Sequence, residues 1–351
     1  MSKTYNTTLE YSVGVILIIT SILGTLLNAA SFTYFNFLKT RNKNSEFFKK
    51  LYMSISFNDI LICLILFPSI EAIFSEERKG ILASSQPLCI TTFLGWSLLS
   101  QNSIILVALL SLTRLLLLKT PSRVFIPNIA FIVPILTFLI FLVLWIAPIT
   151  SGDLHIFYNP NFIECTFNSF SMQNDSRPVS IKDQVGAIVV VTICNSVASS
   201  VFNIVSISFV MSLLKLKKTS QVTTRVGGKA DKQREAAKTV VIVTFIYIIC
   251  NVPIMVVMMY ILIDIIKNPA EKNTTVADIR ARYFSQIFGQ NNTLMNQYVC
   301  ILTVKISVSF NSLINPFVYY FRIDGFRRFV SRAWNRGKIN SGSTTSTSGP
   351  I

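Results

Sequence analysis

Hydrophobic residues along this chain are gathered into seven long apolar segments, separated by shorter polar connections. A helix that crosses the hydrocarbon core of a membrane needs about 20 mostly apolar residues, whereas a barrel strand needs about ten that alternate. These segments do not alternate, and each is too long and too uniformly apolar for an amphipathic surface helix. They predict seven transmembrane helices, at Tyr11–Leu38, Leu51–Ile70, Cys89–Thr113, Val124–Thr150, Val185–Leu214, Thr239–Ile263 and Tyr298–Phe321.

The charged residues predict which side of the membrane each connection faces. The chain is 51% hydrophobic and 14% charged, against roughly 25% charged in an average soluble chain. Most of its 32 Lys and Arg residues lie after the first, third and fifth segments and in the C-terminal tail. Basic connections stay in the cytoplasm, so the N-terminus is predicted to be extracellular. The formal net charge of +16 suggests basic membrane-facing loops more strongly than it suggests a nucleic-acid partner.

Potential glycosylation sites agree with this orientation. Four Asn-X-Ser/Thr sequons occur, and all of them fall on the predicted outer side. Their shared side predicts a glycoprotein in the plasma membrane, modified at Asn6, Asn174, Asn273 and Asn291.

The predicted fold is all-α, a seven-transmembrane-helix bundle with a short amphipathic eighth helix. Three regions are expected: an extracellular N-terminus at residues 1–10, the bundle at 11–322, and a cytoplasmic part at 323–351. In this last part, apolar residues recur at helical spacing between arginines from Gly325 to Trp334, which is typical of an interfacial helix. A Ser/Thr-rich tail follows.

Polar residues in the middle of the spans are candidates for function, because a polar group at membrane depth costs free energy unless it is paired. Asn311 and Asn315 are four residues apart and share one face of a helix. If the mid-span polar residues converge, they form an oxygen-rich pocket around one carboxylate that could hold a small cation or a proton. The alternative is a set of separate interhelical hydrogen bonds. The five residues are Asn28, Asp59, Ser103, Asn311 and Asn315.

A series of short motifs resembles the rhodopsin-like (class A) G-protein-coupled receptors from about Asn28 to Phe326. The arginine of the third motif lies 25 residues after Cys89, which is the family's spacing. Each motif alone is weak, but their order on seven spans is specific. The motifs are Gly24-Thr-Leu-Leu-Asn28, Asn58-Asp59, Thr113-Arg114-Leu115, Cys250-Asn251-Val252-Pro253 and Asn315-Pro316-Phe317-Val318-Tyr319, followed by Phe326.

The resemblance implies a cell-surface receptor that transmits the binding of an extracellular ligand to heterotrimeric G proteins. Arrestin and receptor kinases are further partners that it implies, and an enzyme is not expected. It also implies a disulfide between Cys89 and Cys165, and a sodium ion at Asp59 with no other cofactor. The residues implied in coupling and switching are Arg114, Pro253, Asn315, Pro316 and Tyr319.

The motifs around Arg114 and Pro253 depart from the family pattern. Thr113 replaces the acidic residue that normally restrains the arginine, and Leu115 replaces its tyrosine. Asn251 stands where the family usually has tryptophan. Because a restraint on Arg114 is missing, we expect raised activity without ligand.

The ligand class is only partly predictable. Trp96 stands where amine receptors have aspartate, and Ser309 stands where opsins have the retinal lysine, so amines and retinal are disfavoured. Lys305 could pair with a ligand carboxylate, pair with Glu71, or extend to the membrane surface. The long outer connections slightly favour a peptide. The predicted ligand pocket consists of Trp96, Gln101, Asn251 and Lys305.

Two other functions remain open from the sequence. A seven-helix receptor could bind ligand without coupling, as a decoy or scavenger, and the altered surroundings of Arg114 leave room for this. A transporter or channel is less favoured, because the inverted repeats and paired broken helices of many transporters do not occur here.

Overall fold

The computed structural model describes residues 7–40, 42–75, 80–119, 124–150, 154–159, 164–169, 293–323 and 325–332, with residues 242, 245, 246, 249 and 250. Most of them are helical. The elements are α1 (Thr7–Phe37), α2 (Lys43–Ile65), α3 (Phe67–Phe74), α4 (Gly80–Ser84), α5 (Gln86–Lys119), α6 (Ile129–Thr150), β1 (Leu154–Asn159), β2 (Glu164–Ser169), α7 (Thr293–Arg322) and α8 (325–332). The predicted fifth span, most of the sixth and the Ser/Thr-rich tail lie outside the described residues.

Within the described residues, four helical stretches are long and apolar enough to cross a membrane: Tyr11–Phe37, Lys43–Phe74, Gln86–Thr113 and Ile129–Ile146. They overlap the first four predicted spans, which are therefore helical over most of their length, although the fourth of these helices begins at Ile129 and not at the predicted Val124. The seventh predicted span lies inside α7, a continuous helix of 30 residues. The chain is therefore a multi-pass membrane protein.

The second predicted span differs from the structure at both ends. The prediction began at Leu51 because two lysines precede it, but α2 begins at Lys43. Its start is fixed by Asn42, whose side chain accepts a hydrogen bond of 2.8 Å from the backbone N–H of Ser45. The helix is interrupted at Leu66, because Pro68 at the start of α3 has no N–H to continue the helical ladder.

A hairpin of two strands adds to the predicted helices. β1 and β2 pair antiparallel, from Leu154 opposite Ser169 to Asn159 opposite Glu164. From the sequence, only a long outer connection was expected here. The aromatic and β-branched residues of β1, followed by Asn159-Pro160-Asn161, are a strand and turn signal that was available in the sequence.

The buried residues form two main clusters at opposite ends of the bundle. One packs α1, α3, α5 and α6 beneath the hairpin, and we call it the hairpin-end cluster; it includes Leu17, Ile70, Leu98, Trp145 and Ile156. The other joins α1, α2, α5 and α7 to α8, and we call it the α8-end cluster; it includes Phe35, Tyr52, Leu106, Tyr319 and Phe326. The polar residues of the candidate site lie between these two ends.

Candidate functional site

The carboxylate of Asp59 is the centre of a polar contact between α2 and α7. Asp59 is completely buried. The hydroxyl of Ser312 donates a hydrogen bond of 3.1 Å to its Oδ1, and the amide of Asn315 donates one of 2.7 Å to its Oδ2. Ser312 and Asn315 are three residues apart, so both reach the carboxylate from one face of α7. Both carboxylate oxygens are therefore bound to the same helix.

Asn28 adds α1 to this centre. Its Nδ2 donates to the carbonyl of Gly24 at 2.9 Å and to the carbonyl of Ser312 at 2.8 Å. The second bond is available although Ser312 lies within a helix, because Pro316 lacks the N–H that would normally bond to this carbonyl. The proline of α7 therefore frees the carbonyl that Asn28 uses. We call Asn28, Asp59, Ser312 and Asn315 the polar centre.

The structure brings together part of the predicted ion pocket. Asn315 is bonded directly to Asp59, and Asn28 is joined to them through Ser312, which was not predicted although it lies directly beside Asn311. Ser103 and Asn311 are also buried, but no hydrogen bond connects either of them to Asp59 in the part of the chain that the structure describes.

The donor set fits a hard cation in chemical type, because carboxylate, hydroxyl and amide oxygens are the ligands that such ions prefer. Oδ1 of Asn28 is buried and accepts no hydrogen bond from the described residues, so it is a further oxygen of this kind. If a cation binds here, Asp59 would supply the negative charge. The oxygens of Ser312, Asn315 and Asn28 would supply neutral ligands.

A second polar contact joins α2 to α5. The amide of Asn58 donates to the carbonyl of Leu99 at 3.1 Å, and the amide of Asn102 donates to Oδ1 of Asn58 at 3.0 Å. Asn102 was not predicted. Its signal is the run of four consecutive polar residues, Ser100-Gln101-Asn102-Ser103, in an otherwise apolar span. α2 is thus hydrogen-bonded to α7 by Asp59 and to α5 by the preceding residue.

The predicted disulfide is present. Cys89 near the start of α5 is bonded to Cys165 in β2, with their Cα atoms 5.5 Å apart. Both cysteines belong to the hairpin-end cluster. The bond fixes the hairpin over that end of the bundle. Cys63 and Cys250 are free and buried.

The predicted switch residues have different outcomes. Arg114 lies in α5, but its side chain is not among the described parts of the structure. Pro253 lies outside the described residues altogether. The hydroxyl of Thr113 donates to the carbonyls of Leu109 at 2.7 Å and Leu110 at 3.1 Å. Thr113 is thus hydrogen-bonded within its own helix.

At the α8 end, Tyr319 is completely buried among aromatic rings. Its ring lies edge-on to Phe35 and Tyr52, with centroids 5.6 Å and 5.1 Å away. Tyr319 therefore holds α7 against α1 and α2 one turn beyond Asn315.

Three of the four predicted ligand residues lie among the described residues, and Trp96 lies towards the hairpin end. Trp96 packs against the hairpin-end cluster, Gln101 is buried, and Lys305 in α7 is only 9% exposed. Glu71, one suggested partner of Lys305, accepts a hydrogen bond of 2.9 Å from the backbone N–H of Ile81. Its carboxylate therefore caps α4. Asn251 and all four glycosylation sites, Asn6, Asn174, Asn273 and Asn291, are outside the described residues.

Comparison with known proteins shows the fold. No family model matches the chain, and no curated protein matches it by sequence. Among solved structures, the crystal structure of squid rhodopsin is similar, with a TM-score of 0.65. The alignment covers 99% of this chain and 94% of that chain at 17% sequence identity. At this identity the likeness concerns architecture alone, and the chain has the fold of rhodopsin.

Proposed function

We propose that this protein is a G-protein-coupled receptor of the plasma membrane, with its N-terminus outside the cell. It transmits the binding of an extracellular ligand to heterotrimeric G proteins. The observation that carries the proposal is the polar centre in a rhodopsin fold. There, Asp59 of α2 is hydrogen-bonded to α7 directly beside Pro316 and one turn from Tyr319.

The polar centre would act as a set of exchangeable contacts. Movement of α7 about Pro316 changes which donors reach Asp59, and buried polar groups favour arrangements in which they remain paired. A ligand that binds one arrangement better shifts the population towards it. Tyr319 would carry the movement to the α8 end, where Arg114 provides the charged contact for the G protein.

A cation at the polar centre would bias this equilibrium. It would favour the arrangement in which Asp59, Asn28 and the α7 oxygens are close together. Any movement of α7 that separates these oxygens would weaken binding of the ion, so the ion would oppose activation. Sodium is the ion we propose.

The hairpin end would be the ligand side. A disulfide persists in the oxidising extracellular environment, which agrees with the orientation given by the basic connections. A peptide is the ligand class we favour, because the predicted outer connections are long. Lys305, Trp96, Gln101 and Asn251 would line its site, with Lys305 placed to pair with an acidic group.

Nucleotide exchange on purified G proteins tests the proposal. The receptor is reconstituted in lipid nanodiscs and mixed with one heterotrimer at a time, and exchange is compared with that in empty nanodiscs. We expect faster exchange with at least one heterotrimer. Arg114→Ala should reduce it at least tenfold, since loss of a charged interface anchor costs about 2 kcal/mol or more. Lys49→Ala, another cation at that end, should change it little.

No exchange with any heterotrimer would contradict coupling. The non-coupling receptor would then be favoured, because Thr113 and Leu115 alter the surroundings of Arg114. Arrestin and receptor kinases, which we propose as further partners acting on the Ser/Thr-rich tail, would remain testable by phosphorylation of the same purified protein.

A further inference from the structure

α2 and α5 meet along a seam of residues that recur every three or four positions in each helix. This spacing places the seam residues of each helix on one face. A Cβ atom at Gly95 would overlap the side chain of Ile65, so the two helices approach closely at one end of the seam. The seam consists of Ile55, Asn58, Ile62 and Ile65 in α2, and of Gly95, Leu99, Asn102 and Leu106 in α5.

Asn58 and Asn102 form a polar pair within this apolar seam. The amide of Asn102 donates to Oδ1 of Asn58, and the amide of Asn58 donates to the carbonyl of Leu99. Asn58 is only 3% exposed. A buried asparagine in an apolar helix interface fixes the register of the two helices, because a shift of either helix places an amide against apolar side chains. The pair therefore fixes both the rotation and the height of α2 against α5.

The hydrogen-bonding capacity of the pair is not fully used. Oδ1 of Asn102 is buried and has no hydrogen-bond partner among the described residues. The cost of a buried acceptor without a partner is comparable to what two neutral hydrogen bonds contribute. The pair therefore adds little net stability, and its main effect is on the position of α2.

The position of α2 determines where Asp59 points. Asp59 directly follows Asn58, and successive residues of an α-helix point about 100° apart. With Asn58 held on α5, the carboxylate of Asp59 is directed at α7, where Ser312 and Asn315 donate to it. A rotation of α2 would turn this carboxylate away from the oxygens of α7. The contact with α5 thus keeps the polar centre assembled.

We propose that Asn58 and Asn102 are positioning residues for the polar centre, and that they set its affinity for sodium without touching the ion. The proposal rests on the proposed function, in which Asp59 supplies the charge of a cation site. Loss of a residue that orients a metal ligand typically weakens metal affinity by roughly 10–100-fold.

Thermal unfolding of the purified full-length protein at increasing sodium concentration tests the proposal. N-methylglucamine chloride replaces sodium chloride, so that the ionic strength stays constant. An ion that binds only the folded state raises the melting temperature once its concentration passes its Kd, so the titration gives the sodium affinity. We expect Asn58→Leu and Asn102→Leu each to weaken this affinity at least roughly tenfold. An unchanged affinity in both variants would overturn the proposal.

A packing variant separates positioning from a general loosening of α2. Ile62 lies one turn from Asn58 on the same face of α2 and is 1% exposed. Ile62→Ala should lower the melting temperature in every buffer but leave the sodium affinity unchanged. If it weakens sodium binding as much as Asn58→Leu does, loosening explains both effects and the proposal fails.

The double variant separates the register from the stability of the seam. Asn58→Leu with Asn102→Leu leaves neither amide without a partner, so it should recover most of the melting temperature lost in the single variants. An apolar pair does not select one register, so the sodium affinity should stay at least roughly tenfold weaker. Recovery of the sodium affinity as well would show that the polar pair is not needed, and would overturn the proposal.

Asp59→Asn distinguishes failure of this inference from failure of the proposed function. The variant removes the charge of the site and should abolish the dependence on sodium. If the unmodified protein shows no such dependence, or if Asp59→Asn retains it, the proposed cation site and this inference both fail. If Asp59→Asn abolishes the dependence and both asparagine variants keep it unchanged, this inference alone fails. Coupling is unaffected by either result, because the assay contains no G protein.

Discussion

The polar centre and the outer surface of α6 show two ways of placing a helix in a membrane. At the polar centre, α1, α2 and α7 are joined by hydrogen bonds between side chains and to a freed carbonyl. α6 instead exposes a broad apolar surface that includes Ile132, Leu136 and Leu139. The hydroxyl of Thr137 in α6 donates to the carbonyl of Val133, within its own helix.

An apolar segment alone does not determine which helix packs beside it. Lipid is as apolar as the side chains, so burial of hydrophobic area does not select one helix neighbour over another. Mid-span polar groups and close packing do select it. α6 is accordingly held along one edge, where Trp145 meets Phe93 edge-on with centroids 5.5 Å apart.

The largest expected effect lies on that edge of α6. Trp145→Ala should lower the free energy of unfolding by about 3 kcal/mol, because it leaves a cavity in the hairpin-end cluster. Thermal unfolding of the purified protein in detergent measures it. Trp145→Phe keeps a ring beside Phe93 and should cost clearly less. Equal losses in the two variants would show that the ring contact is unimportant.

The second-largest loss of stability is expected at the polar centre. Asp59→Ala removes the acceptor of two buried donors and should cost about 2 kcal/mol. Membrane hydrogen bonds are often weaker than this, so a double-mutant cycle with Asn315→Ala isolates the pair. We expect the two losses to be non-additive. Additive losses would mean that Asp59 and Asn315 do not depend on each other.

Close packing of α1 against α2 should give a smaller effect. A Cβ atom at Gly24 would lie 2.6 Å from the sulfur of Cys63, so Gly24→Ala should cost about 1–2 kcal/mol through overpacking. Cys63→Ala in the same protein should restore much of that stability. If it restores none, the two helices are not limited by this contact.

The smallest effect is expected on the lipid-facing surface of α6. Val143 is 66% exposed, and Val143→Ala should change the free energy of unfolding by less than about 0.5 kcal/mol. A loss comparable to that of Trp145→Ala would show that a protein surface, rather than lipid, covers this side.

The helical spans were predictable because each depends on local composition. Tyr11–Leu38 and Cys89–Thr113 needed only their length and lack of charge. The hairpin was missed because its strands are short and the membrane signal is absent there, although Asn159-Pro160-Asn161 marked the turn. Pro68 marks the break in the sequence, but the apolar residues on both sides of it predict one continuous span.

The site was predictable only in part. A buried Asp59 follows from one carboxylate in an apolar span, but its partners depend on the rotation of α7. That rotation favours Ser312 over Asn311, and nothing local distinguishes the two. Likewise, the pairing of Asn58 with Asn102 depends on how α2 and α5 are aligned along their axes.

Signalling without ligand tests most directly the central claim that this protein couples to a G protein. Thr113, the residue before Arg114, donates its hydroxyl within its own helix. Cells expressing the unmodified protein, Thr113→Asp or Thr113→Val at matched surface levels are compared using sensors for each G protein. We predict that the unmodified protein and Thr113→Val signal above empty cells in the same channel, and that Thr113→Asp signals less because its carboxylate restrains Arg114. An unmodified protein that signals no more than empty cells in every channel would contradict it.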